Sequence, residues 1–133
     1  MPRNLSQLTK TEKDILDFLW NHGRPLSASE IINLYPNRTW KASYIHLVLN
    51  SMFKKKVIRI NGFKPTGKNY ARSFAPALTR EAYLVHEMIR ELHPDKEHLR
   101  RLMIDLVDSA SDLQTVTSML ELCQQKKSQL TNS

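Results

Sequence analysis

The hydrophobic period of this chain shortens after three stretches with helix spacing and returns to helix spacing after Pro76. The first stretch opens at Thr9 and Glu12, three residues apart as in a capping box. Ile15, Leu16, Leu19 and Trp20 then recur on one face, and His22-Gly23 followed by Arg24-Pro25 ends the run. The second opens with Ser27 and Glu30 at the same spacing, with Leu26 and Ile31 placed as a hydrophobic staple, and stops at Pro36. The third is expected from about Thr39 to Lys55, where Ile45, Val48, Leu49 and Met52 form a buried stripe. Ser43, Leu47, Asn50 and Lys54 fall on its opposite face, flanked by Trp40, Tyr44, His46 and Ser51.

After Lys56 the pattern shortens to a strand period. Val57-Ile58-Arg59-Ile60 is β-prone, Asn61-Gly62 is a turn signal, and Phe63 to Asn69 reads as a basic loop holding Lys64, Lys68, Pro65 and Gly67. Tyr70 to Phe74 alternates as a return strand would, and Pro76 closes the unit. This predicts a β-hairpin with a tip of about seven residues, longer than a tight turn. Three helices and then a basic hairpin is the plan of a winged helix-turn-helix. The expected fold is mainly α: a winged-helix DNA-binding domain over 1–76, then a helical dimerisation region over 77–133.

That second region is helix-patterned throughout. Leu84, Val85, Met88, Ile89 and Leu92 share one stripe, and Pro94 is placed to begin the next helix. Leu99, Leu102, Met103, Leu106 and Val107 make a second stripe. Ser111 and Gln114 have capping-box spacing ahead of Leu113, Val116, Leu120 and Cys123 at near-heptad intervals. Three short amphipathic helices make a poor core alone, so a second copy is expected against Leu84, Met88, Leu99, Leu102, Leu106, Leu113, Val116 and Leu120.

Charge separates the same two regions. Residues 1–76 hold 13 Lys plus Arg against 4 Asp plus Glu, whereas residues 77–133 hold 7 against 9. The basic half is suited to a polyanion, and double-stranded DNA fits the fold. Ser43, Tyr44, Leu47 and Ser51 are the candidate base readers: the hydroxyls can donate or accept, and leucine suits a thymine methyl. Thr39, Lys41, Lys54, Lys55, Arg59, Lys64, Lys68 and Arg72 are the candidate backbone contacts, which fix register and not sequence.

These residues resemble the penicillinase-repressor family, winged-helix repressors of beta-lactamase and methicillin-resistance genes that also include copper-responsive members. Leu8-Thr9, Glu12, Ile15-Leu16 and Leu19-Trp20 match its first helix. Trp40, Ile45, Leu49 and Lys54-Lys55 match its recognition helix, and Gly67-Lys68, Tyr70 and Phe74-Ala75-Pro76 match its wing and exit. The resemblance implies a dimeric repressor on a palindromic promoter operator. The chain departs where the family has Ser-Pro-Lys-Thr, here Lys41-Ala42-Ser43-Tyr44. Ser51 replaces a usual arginine and Lys56 a usual glycine, so the family operator does not transfer. One cysteine cannot form the copper members' paired Cys-x-Cys tail. Asp105-Leu106 does not match the Asn-Phe cleavage site of the beta-lactamase members, so proteolytic induction does not transfer, and no upstream sensor or protease is assigned.

Other chemistry finds little support. No Gly-rich phosphate loop, nucleophile elbow or catalytic dyad is visible, so an enzyme is not expected. No metal or cofactor is expected, since none of the five histidines has the i, i+4 spacing of a helical zinc pair. Cys123 reads as a small buried hydrophobe on an apolar stripe. The first residues, Met1 to Ser6, lack a signal-peptide core, and no apolar run reaches the ~20 residues that span a bilayer, so a cytoplasmic protein without membrane partners is expected. Three other readings stay open: a related regulator with a ligand in its helical half, a basic module that docks an acidic protein, and an RNA-binding winged helix.

Overall fold

The computed structural model describes residues 7–93 and 95–132. The roles expected of residues 1–6 and Pro94 lie outside the described residues. Two compact units are present, Met1–Met88 and Ile89–Ser133.

In the first unit, α1 (Lys10–His22) begins with the expected capping box: Thr9 Oγ1 accepts from Glu12 N, and Glu12 Oε1 accepts from Thr9 N at 2.8 Å. β1 is a two-residue strand, Leu26–Ser27, and Ser27 caps α2 (Ala28–Leu34) in the same reciprocal way with Glu30. A single 3-10 turn, Ala42–Tyr44, leads into α3 (Ile45–Lys54). The third helix thus starts later than Thr39, because its first turn is wound as 3-10 and Thr39 to Lys41 precede it.

The hairpin is longer and tighter than its sequence reads. β2 (Ile58–Thr66) and β3 (Asn69–Pro76) pair up to Thr66 opposite Asn69, which leaves only Gly67-Lys68 as the loop. Gly67 has φ 62 while Lys68 stays at negative φ, the pattern of a type II′ turn. Asn61-Gly62 is not the turn. Ile60 faces Phe74 and Phe63 faces Arg72, so β2 carries one extra residue there, a bulge with Gly62 at φ 91. β1 pairs with the outer side of β3, giving the sheet order β1-β3-β2.

The core is the junction of these elements. Ile15, Leu16 and Leu19 of α1, Ile31 of α2 and Ile45, Leu49 and Met52 of α3 pack with Leu26, Ile58 and Phe74 of the sheet. The unit runs past Pro76 because Trp20 Nε1 donates to Leu78 O at 3.0 Å and Tyr83, in α4 (Arg80–Leu92), is buried in the same cluster.

The second unit holds α5 (Lys96–Ser109) and α6 (Leu113–Thr131). Asp95 caps α5 by accepting from His98 N. Asp112 takes the cap position of α6 without a side-chain bond, so the Ser111–Gln114 capping box does not form. Neither α5 nor α6 has a buried residue. Cys123 is exposed, not buried as expected: with Met103, Val107 and Met119 it lines an apolar cleft of ≈ 270 Å³ that no other described element fills.

Candidate nucleic-acid interface

α3 is held from both ends. Ahead of it, Arg38 Nη1 donates to Ile32 O and Tyr35 O, closing the carbonyl end of α2, and its guanidinium sits 5.5 Å from the Trp40 ring. This turn-closing role of Arg38 had no motif to announce it. At the far end, Lys56 N donates to Phe53 O and Val57 N donates to Met52 O. That pair of bonds is a Schellman motif, and Val57 and Met52 are both fully buried, as its hydrophobic contact requires. Lys56 sits at φ 63, the left-handed conformation in which the family's usual residue is glycine.

With Ile45, Leu49 and Met52 buried, the opposite face of α3 is open. Leu47 is 70% exposed and Tyr44 50% exposed, and Ser43, Asn50 and Lys54 share that exposure. Ser43 and Tyr44 lie in the 3-10 turn at the entrance to the helix. These groups can present hydroxyls, an amide and a methyl-bearing side chain along one surface.

Ser51 does not join them. Its Oγ donates to Glu12 Oε2 at 2.6 Å, and Lys55 Nζ donates to Glu12 Oε1 at 2.6 Å and to Gln7 O at 3.0 Å. Glu12 is only 2% exposed. Burial alone would raise its pKa, but the bonds from Lys55, Ser51 and Thr9 N outweigh that, and the carboxyl is held below its ordinary value. Ser51 and Lys55 are therefore committed to fastening α3 onto α1, because an unmatched buried carboxylate would be costly.

The hairpin sorts its residues by face. Cross-strand partners point the same way, so Phe63, Pro65, Tyr70 and Arg72 share one side, and Lys64, Ala71, Thr66 and Asn69 the other. Lys64 is also committed: its Nζ donates to Glu30 Oε1 at 2.8 Å and to Pro25 O at 3.0 Å. That bond, with the one from Ser27 N, lowers the Glu30 pKa to about 2. Lys68 is exposed at the tip and Arg72 is exposed on the strand. Arg59 lies opposite Ala75 at the other end of β2, roughly 20–25 Å of strand from Gly67. Arg59 is thus apart from the tip cations. Phe63 and the 73%-exposed Tyr70 carry no signal in the sequence beyond loop and strand, and their outward position follows from the register.

The expected dimerisation residues are mostly open. Leu84, Leu99, Leu106, Leu113, Val116 and Leu120 are exposed, while Met88 and Leu102 are half-buried.

A family model described as penicillinase repressor matches residues 8–125. No curated protein matches the chain. Among solved structures it is similar to a mutant of MepR from a multidrug-resistant S. aureus clinical isolate, with TM-score 0.43 and 14% identity over 92% of this chain and 80% of that one. It is also similar to Lactococcus lactis ZitR, a zinc-responsive MarR family member, with TM-score 0.42 and 15% identity over 95% of this chain and 82% of that one.

Proposed function

The chain belongs to the penicillinase repressor family of DNA-binding transcriptional repressors, and on that premise we propose that it acts as a homodimer on a two-fold promoter operator. The observation that carries this reading is the open face of α3 beside a basic wing in the same compact unit. Ser43, Tyr44 and Leu47 enter the major groove, where hydroxyls reach base edges and leucine meets a thymine methyl. Thr39, Lys41 and Lys54 contact phosphates around the helix, and Lys68 and Arg72 do so from the wing. Ser51, Lys55 and Lys64 hold the frame that aims these groups. The exposed stripes of α4 to α6 meet those of a second copy, so each protomer reads one half-site, about one helical turn or a multiple of it from the other.

The test is a fluorescence titration of promoter fragments and random duplex at two salt concentrations. One preferred fragment is expected, with a log–log salt slope near −0.9 per phosphate contacted. No duplex binding at low salt would sink the reading.

A further inference from the structure

We propose that a cavity at the base of the wing binds a small organic anion with an apolar body, such as an aromatic carboxylate. The cavity has a volume of ≈ 310 Å³ and lies between the end of α1, the approach to β1 and the start of β2. Its wall includes Leu19, Trp20 and Pro25, and its cations are Arg24 and Arg59. An apolar wall with a few polar groups is the usual make-up of a small-molecule site. The volume is near the lower end for such sites, about 300 Å³, so the ligand is small.

Three observations point to an anion. No carboxylate side chain lines the cavity. Among the described residues Arg59 makes no ion pair. Arg24 reaches Glu30 at 3.3 Å, but Glu30 already accepts from Lys64 at 2.8 Å and from Ser27 N at 2.9 Å. Arg24 can therefore turn to a ligand without stripping Glu30 of its partners. Nor is the cationic lining a general result of the basic composition: a second cavity of the same size on α1 is lined by Asp14 and Asp17 and has no cation.

The apolar wall is preorganised as well. Trp20 Nε1 donates to Leu78 O, which fixes the indole before any ligand arrives. Lys13 and Arg80 already lie over the indole, at 5.5 and 5.4 Å, so the ligand's apolar body meets Pro25 and the part of Trp20 that lines the cavity, while its carboxylate takes paired N–H bonds from a guanidinium. Asn61, beside the Gly62 bulge, adds an amide to the same lining. Apart from Arg59, a candidate phosphate contact by sequence, the site uses none of the residues assigned to DNA, and it stands whether or not the operator reading does.

The experiment follows the two indole N–H resonances of the full, DNA-free chain during titration with benzoate, with benzamide as the neutral counterpart. The Trp20 signal is expected to shift saturably with benzoate and not with benzamide, while buried Trp40, outside the cavity lining, stays in place. Arg59→Gln, at an exposed position, is expected to weaken benzoate binding by about ten-fold or more. Lys68→Gln removes the same charge at the wing tip and leaves binding unchanged. A Trp20 signal that does not saturate, an equal response to benzamide, or equal effects of the two substitutions would overturn the proposal.

Discussion

At the scale of single side chains, the Glu12 carboxylate closes the capping box of α1 and also receives Ser51 and Lys55 from α3. Glutamine at this position keeps an oxygen for Thr9 N but removes the charge that faces Lys55. Lys55 is only 22% exposed, so part of its desolvation would go unmatched. Glu12→Gln is expected to lower stability by about 1–3 kcal/mol, read from urea unfolding near pH 7. Glu30 gives a pH signature. Its folded pKa is about 2 against an ordinary 4.5, so the folded state favours the ionised form. The sign follows from linkage: this stabilisation is complete above about pH 4.5 and is lost as pH falls toward 2. The wild type should therefore lose stability through that window in acid titrations followed by circular dichroism, and Glu30→Gln should flatten the loss. An unchanged acid profile would mean that the Lys64 bond does not persist in solution.

At the scale of elements, the end of α3 and the wing show how local sequence and local geometry part company. The Schellman bonds after α3 demand a left-handed residue, and the chain places Lys56 there at φ 63. A side chain at that backbone conformation costs about 1–2 kcal/mol, while glycine gives back part of the gain through its freer unfolded state. Lys56→Gly is expected to stabilise the chain by about 0.5–1 kcal/mol in the same urea assay, and a loss of stability would contradict the cap. In the hairpin, Asn61-Gly62 has strong turn chemistry yet forms a bulge, while the two residues Gly67-Lys68 turn the chain. The apolar pairing decides this. Ile60 must face Phe74 so that both reach the core, and the remaining register then carries β2 out to Thr66.

At the scale of the whole chain, the two units differ in how they use apolar residues. The first builds a core of buried side chains from α1, α2, α3 and the sheet. In the second, α5 and α6 bury none, and Leu113 alone is 82% exposed. Helices with such stripes gain stability when a second apolar surface covers them, and two copies of one chain supply that by symmetry. Light scattering is expected to give twice the chain mass for the wild type. Leu106→Asp would place a charge in the proposed interface and is expected to shift the mass toward that of one chain. A wild type of single-chain mass would remove the dimer from the functional reading and leave the first unit's role unaffected.

The sequence by itself determined the helices, the capping boxes of α1 and α2 though not the one expected for α6, the core stripe of α3 and the three-helix-then-hairpin order. Each depends on contacts within a few residues, where capping chemistry and hydrophobic period act directly. Family membership was legible for the same reason, since its motifs sit in residues 8–76. Only the tertiary structure decided which polar residues are free. Ser51, Lys55 and Lys64 have the composition of DNA contacts, but Glu12 and Glu30 claim them from 39, 43 and 34 residues away. Arg59 lines the cavity at the wing base, away from the tip, because a one-residue bulge and a two-residue loop set where each strand residue lies. Such pairings arise when distant segments fold together around a core, and no local spacing in the chain encodes them.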